Sequence, residues 1–224
     1  MTLAEITPAL LNKAYSYSSY RQLLDTLMAE GKTTGTQQDE QLINYARLNL
    51  ARMNRLDKTF KLSTRQWHQV HQVRTELLFI TITEGWCGDA AQIVPVLEKV
   101  IAANPVWSHL LVLRDEQPAL MDHFLTNGKS RSIPKTIILK KQTLEVIGSW
   151  GPRPTEAQAL VDQLKAADTP KEQLAEQLHG WYNQDKGNST AEEFIRAVDQ
   201  ALRGKTPFQP SPLAKVLPLK QFLI

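Results

Sequence analysis

The chain has 224 residues, 42% of them hydrophobic and 22% charged, enough for one sizeable core with helical additions. Its net charge of +3 comes from basic residues scattered along the chain, which excludes nucleic acid as the partner that the charge implies. No apolar run is long enough to span a bilayer, so no membrane helix is predicted.

In chain order, Met1-Thr2-Leu3-Ala4-Glu5 lacks the basic and apolar segments of a secretory signal, and the chain carries one cysteine, so a reducing cytoplasm is the expected compartment. Leu10, Leu11, Ala14 and Tyr15, then Tyr20, Leu23, Leu24, Leu27 and Met28, recur at helical spacing, with Gly31 a candidate stop. A second helix is predicted from about Asp39 through Met53. Ser63-Thr64-Arg65-Gln66 fits a capping box opening a third through Trp67, Val70 and Val73. The aromatic residues Tyr15, Tyr17, Tyr20 and Trp67 are expected to glue these helices to the core. The period then changes. Leu77 to Thr83 is a β-branched, uncharged run that reads as a strand buried on both faces.

Glu84-Gly85-Trp86 breaks that strand, and a helix through Ala90, Val94, Leu97 and Ile101 follows. His109 to Leu113 reads as a second strand and Leu120 to Leu125 as a short helix stopped by Asn127-Gly128. Lys135 to Lys140 is a third strand and Thr143 to Ile147 a fourth, with a polar turn between them. Helices are predicted from about Thr155 to Leu164, Lys171 to Tyr182 and Thr190 to Leu202. This order makes an α/β layered fold with a mixed sheet. The division reads as a helical N-terminal extension (1–76) packed on the core, a central α/β unit (77–167), C-terminal helices (168–204) and a proline-rich tail (205–224). The tail is expected to dock on its own domain or on a neighbouring copy, which would make a homodimer.

The chemistry concentrates at Glu84-Gly85-Trp86-Cys87-Gly88-Asp89-Ala90. A cysteine between a buried strand and its helix sits where unpaired amide N–H groups and the helix dipole favour the thiolate, the attacking species. Gly88 is expected to leave the approach to the sulfur open. Asp89 stabilises the helix start yet opposes a thiolate nearby, so a modest depression of the thiol below the free value of about 8.5 is expected. Elsewhere the readings stay bland. His68 and His71 are read as packing or solvated residues rather than metal ligands, and no metal site is expected. Glu84 is weighed as a local acid or base against a loop residue facing water. Arg114 and Arg131 are weighed as steering an anionic thiol such as glutathione against forming a salt-bridged loop. Trp150 to Pro154 is weighed as the lining of a groove near Gly148 against a proline-set helix start.

Trp86-Cys87-Gly88 after a buried strand resembles the active site of the thioredoxins. Pro95 resembles the proline that kinks the family's active-site helix. Arg131-Ser132-Ile133-Pro134 resembles the segment holding its cis-proline, and Gly148 resembles the glycine that leaves room for a substrate chain. The wider pattern is similar to a bacterial branch of the family with a single active-site cysteine. The resemblance implies a thioredoxin-like fold, Cys87 as the reacting group, and Trp86, Gly88, Asp89, Ile133, Pro134 and Gly148 around the substrate. It also marks departures. Ala90 stands where the family has its resolving cysteine, Asp89 where it has proline, and Thr81 where it has a buried acid. The expectation is therefore monothiol exchange. Cys87 would act on a thiolated or disulfide-bearing protein or on a small thiol's disulfide, with no bound cofactor and a low-molecular-weight thiol as co-substrate. The alternatives are a redox-inactive binding module that holds a protein partner, and a glutaredoxin-like site holding an iron–sulfur cluster with glutathione.

Overall fold

The computed structural model describes residues 1–204; the tail, with its expected docking and dimer role, lies outside the described residues. The element order is α1 (Pro8–Lys13), α2 (Tyr17–Ala29), α3 (Glu40–Thr59), α4 (Thr64–His71), β1 (Leu77–Thr83), α5 (Gly88–Ala102) and β2 (Ser108–Leu113). A 3-10 turn (Arg114–Glu116) leads to α6 (Pro118–Asp122), β3 (Lys135–Lys140), β4 (Glu145–Trp150), α7 (Thr155–Ala166), α8 (Lys171–Asp185) and α9 (Asn188–Leu202).

The sheet has the order β2-β1-β3-β4, with β1 parallel to β2 and antiparallel to β3, and β3 antiparallel to β4. This is a thioredoxin-like α/β fold with additional helices at both ends. Every residue of β1 is buried, as its uncharged run requires. Alternate β1 side chains feed two cores. Ile80 and Ile82 join Leu3, Leu10, Tyr20 and Leu24 from the N-terminal helices. Leu77 and Phe79 join Ile93 and Leu97 of α5 and Phe194 and Val198 of α9. The capping box at Ser63 and Gln66 forms in both directions.

Several elements differ from the sequence reading at their ends: α3 runs on past Met53 to Thr59, and α4 stops at His71, short of Val73. β4 spans Glu145–Trp150, not Thr143 to Ile147, because the turn after Lys140 is longer than a polar pair: Leu144 takes a left-handed φ of 54° and donates its N–H back to the Lys140 carbonyl at 2.9 Å. α6 starts at Pro118 and ends at Asp122, well before Asn127-Gly128, since proline favours the first helical position and the chain then tightens through His123 and Phe124 N–H bonds to Leu120 and Met121.

Among the described residues no helix is long and apolar enough to cross a membrane.

Candidate active site

Cys87 caps the N-terminus of α5, with the N–H of Ala90 donating to its sulfur at 3.4 Å. The thiol in turn donates to the Ile133 carbonyl, also at 3.4 Å. This brings the Trp86–Asp89 loop and the Ile133–Pro134 segment together, and the Ile133–Pro134 bond is cis. Pro95 lies inside α5.

The loop itself is fastened by α2, α3 and the loop between them. The Gly85 N–H donates to Thr34 Oγ1 at 2.8 Å and the Gly85 carbonyl accepts from Asn49 Nδ2 at 2.9 Å. A side chain at Gly85 would strike Leu24 of α2, 2.6 Å from where its Cβ would sit. Glu84 does not face water. It is buried, accepts from the Thr34 hydroxyl and from the Asp115 N–H, and burial raises its carboxyl above the usual range. This region turns inward because the neighbouring loops supply hydrogen bonds that solvent would otherwise provide.

Asp89 is held as firmly. Arg153, from the loop after β4, forks onto it at 2.9 and 2.6 Å, and Tyr182 of α8 donates its hydroxyl at 2.8 Å. Arg153 is placed by a close approach of two loops. Gly151 has φ of 108°, a Cβ there would lie 2.4 Å from the Pro134 carbonyl oxygen, and Lys135 Nζ donates to the Gly151 carbonyl at 2.6 Å. Burial lowers the Lys135 ammonium to about 8.

The sulfur's environment corrects the expected pKa. Cys87 is 8% exposed, and burial, reinforced by the Asp89 charge, pushes its thiol up to about 12. The backbone N–H groups of the helix start and the Arg153 charge pull the other way and do not offset these two effects.

Gly88 and Gly148 also differ from their expected roles. A Cβ on Gly88 would sit 2.9 Å from the His179 ring, so this glycine makes room for α8 rather than an open path to the sulfur. Gly148 lies within β4 under α9, where a Cβ would meet that of Ala201 at 2.9 Å; the C-terminal helix occupies the room that the resemblance assigned to a substrate chain. The remaining residues do meet. Trp86, Cys87, Gly88, Asp89 and Ile133 line one cleft of about 490 Å³, bounded by α3 and α8. Pro134 is buried and is not part of the cleft's lining.

Arg114 and Arg131 form the salt-bridged arrangement, with Asp115 and Asp122, yet both also line the cleft. The Arg114 guanidinium stacks 4.7 Å from the centre of the Trp86 ring. Thr81, in place of the family's buried acid, meets His109 Nε2 at 2.8 Å and Thr136 at 2.9 Å, and His109 Nδ1 meets Glu98 at 2.8 Å. His71 stacks on Trp67 and its Nδ1 lies 3.1 Å from the Ala103 carbonyl. Among the described residues no group of three or more His, Cys, Asp or Glu side chains stands close enough to hold a metal ion.

The sequence reading missed Thr34, Asn49, Arg52, His179 and Tyr182. Thr34, Asn49 and Tyr182 reach the motif from 36 to 93 residues away, and no local pattern marks them.

Comparison with known proteins agrees with the fold. Residues 35–165 match the family model described as Thioredoxin, more than half of the chain, and the chain belongs to the thioredoxin family. A crystal structure of PA1234, a protein of unknown function from Pseudomonas aeruginosa, is similar over 84% of this chain and 99% of its own, with 12% identity and a TM-score of 0.52, a likeness of fold. An HIV epitope-scaffold is similar over 83% of this chain and 98% of its own, with 13% identity and a TM-score of 0.46. No curated protein matches.

Proposed function

We propose that Cys87 carries out monothiol thiol–disulfide exchange in the cleft. The observation that carries this reading is the position of the chain's one sulfur nucleophile, at the N-cap of α5, lining a cleft beside the Ile133 carbonyl. The Cys87 thiol first gives its proton to solvent. Its thiolate attacks one sulfur of a disulfide, the S–S bond breaks, and the leaving thiolate takes up a proton. A low-molecular-weight thiol from solution then attacks the Cys87 mixed disulfide, restores Cys87 and leaves with the bound half. Ala90 supplies no internal exit, so exchange pauses at the covalent adduct. The thiol's high pKa makes attack slow in the resting protein.

That same high pKa favours a second reading, a redox-inactive cleft that holds a ligand without exchange. One experiment separates them. The folded chain is incubated with a small disulfide over a range of alkaline pH and its intact mass followed. A single adduct on Cys87, forming faster as pH rises and reversed by excess free thiol, is expected. Insulin reduction should be weak, and Ala90→Cys should add turnover. If the folded chain forms no adduct under conditions where the urea-unfolded chain does, exchange is excluded and the binding reading stands.

A further inference from the structure

Four arginines line the Cys87 cleft, Arg52, Arg114, Arg131 and Arg153, against one carboxylate among the described residues, Asp89. Three of them have carboxylate partners: Arg114 pairs with Asp115, Arg131 with Asp122 and Arg153 with Asp89. Arg52 is different. Its Nη1 donates to the neutral amide oxygen of Asn49 at 2.7 Å, and no ion pair to it occurs among the described residues. It is half-buried on α3; burial and the neighbouring Arg55 work against its charge, and the Asp89 charge works for it without a direct ion pair. A guanidinium in that setting gains from an incoming anion, because the anion replaces lost hydration and meets a charge whose nearest carboxylate, Asp89, is already engaged by Arg153. Arg55 itself does not line the cleft and donates to Gln92 at 2.9 Å.

The position is as informative as the charge. Arg52 Nη1 lies 3.7 Å from where a Cβ on Gly88 would sit, beside the residue that follows Cys87. Asp89, the only group there that would repel an anion, already accepts the Arg153 fork and the Tyr182 hydroxyl. Leu42, Tyr45, Leu174 and Leu178 supply an apolar wall from α3 and α8. The cleft's volume of about 490 Å³ falls in the range of small-molecule sites. Cys87 has little exposed surface and opens onto a cleft lined from α3 and α8, an arrangement that favours a slim ligand.

We propose that the cleft selects a small aliphatic disulfide bearing a carboxylate, with Arg52 as the anchor of that carboxylate. The inference rests on the exchange reading and narrows its substrate to a class. In the step, the Cys87 thiolate attacks the disulfide, one half stays as the mixed disulfide with its carboxylate on Arg52, and the other leaves as a thiolate that takes a proton from solvent.

The test uses three disulfides of similar length and different charge: 3,3′-dithiodipropionate, bis(2-hydroxyethyl) disulfide and cystamine. Adduct rates on the full folded chain are each divided by the rate on the urea-unfolded chain, which removes intrinsic reactivity. The dianion should lead the neutral compound by about tenfold, with cystamine slowest, and added salt should compress the series. Arg52→Gln should bring the three within about twofold, while Arg52→Lys should keep the order. Equal ratios, a lead for cystamine, or an anion preference unchanged in Arg52→Gln would overturn the proposal while leaving exchange intact. If none of the three forms an adduct, exchange itself fails. Calorimetry with adipate, a dicarboxylate without sulfur, then decides the anchor: saturable binding weakened by Arg52→Gln supports it, and no binding removes it.

Discussion

Cys87 and Asp89 share the first turn of one helix, yet their surroundings are opposites. Asp89 is buried and its charge is fully met by the Arg153 fork and the Tyr182 hydroxyl. Cys87 is equally buried, and its sulfur meets one N–H and one carbonyl oxygen. The helix dipole acts on both residues, so it cannot account for the difference. Side chains arriving from other elements decide it. A helix start alone does not make a reactive thiol when burial and a neighbouring carboxylate oppose it.

The contrast is broken most directly through pH. With a thiol pushed up to about 12, against 9.0 as its starting value (an unfolded thiol lies at roughly 8.5 to 9), the folded chain at neutral pH should alkylate at least about a thousandfold more slowly than the unfolded chain. Its rate should climb about tenfold per pH unit with no plateau near pH 9. Linkage gives the companion sign. Because the folded value is raised, the proton on Cys87 favours the folded state. That stability is fully present below 9.0 and is lost as pH rises toward about 12, a loss that Cys87→Ser should remove in urea titrations.

Removing Arg153 attacks the other half. Arg153→Gln leaves a buried carboxylate without its fork and should cost about 3 kcal/mol in thermal or urea unfolding, with Arg153→Lys recovering part of it. Gly151→Ala strikes the joint that carries Arg153. A Cβ at a φ of 108°, 2.4 Å from the Pro134 oxygen, must displace one loop, and a loss of about 2 kcal/mol is expected. The smallest effect sharpens the contrast instead. Asp89→Asn removes the charge that opposes the thiolate while leaving Arg153 nearby, so alkylation should speed up by about tenfold, measured against the parent at one pH. A slower rate in this variant would mean that Asp89 supports the thiol.

Features set by neighbours in sequence were legible beforehand. The uncharged run of β1, the Ser63–Gln66 capping box and the placement of Cys87 at a helix start all follow from local pattern. Features set by distant packing were not. Gly148 has no local mark that distinguishes room for a substrate from room for α9, and Gly88 none that distinguishes an open approach from a seat for His179. The thiol's pKa belongs to the same group, since burial of Cys87 in a core that includes Tyr20, Leu24 and Ile133 is invisible in Trp86-Cys87-Gly88-Asp89. The sequence leaves Glu84 open between a local acid or base and a residue facing water, because the Thr34 hydroxyl that satisfies it stands fifty positions earlier.

The fastening of Gly85 carries a consequence for grafting. The recognisable family segment, residues 35–165, begins one residue after Thr34 and ends before Tyr182. A chimera that moved only that segment onto a foreign scaffold would carry the cysteine across. It would leave behind the hydroxyl that holds the Gly85 N–H, the leucine packed on that glycine and the phenol that bonds Asp89. The smallest portable unit of this reactive centre is therefore wider than the signature by which it is recognised.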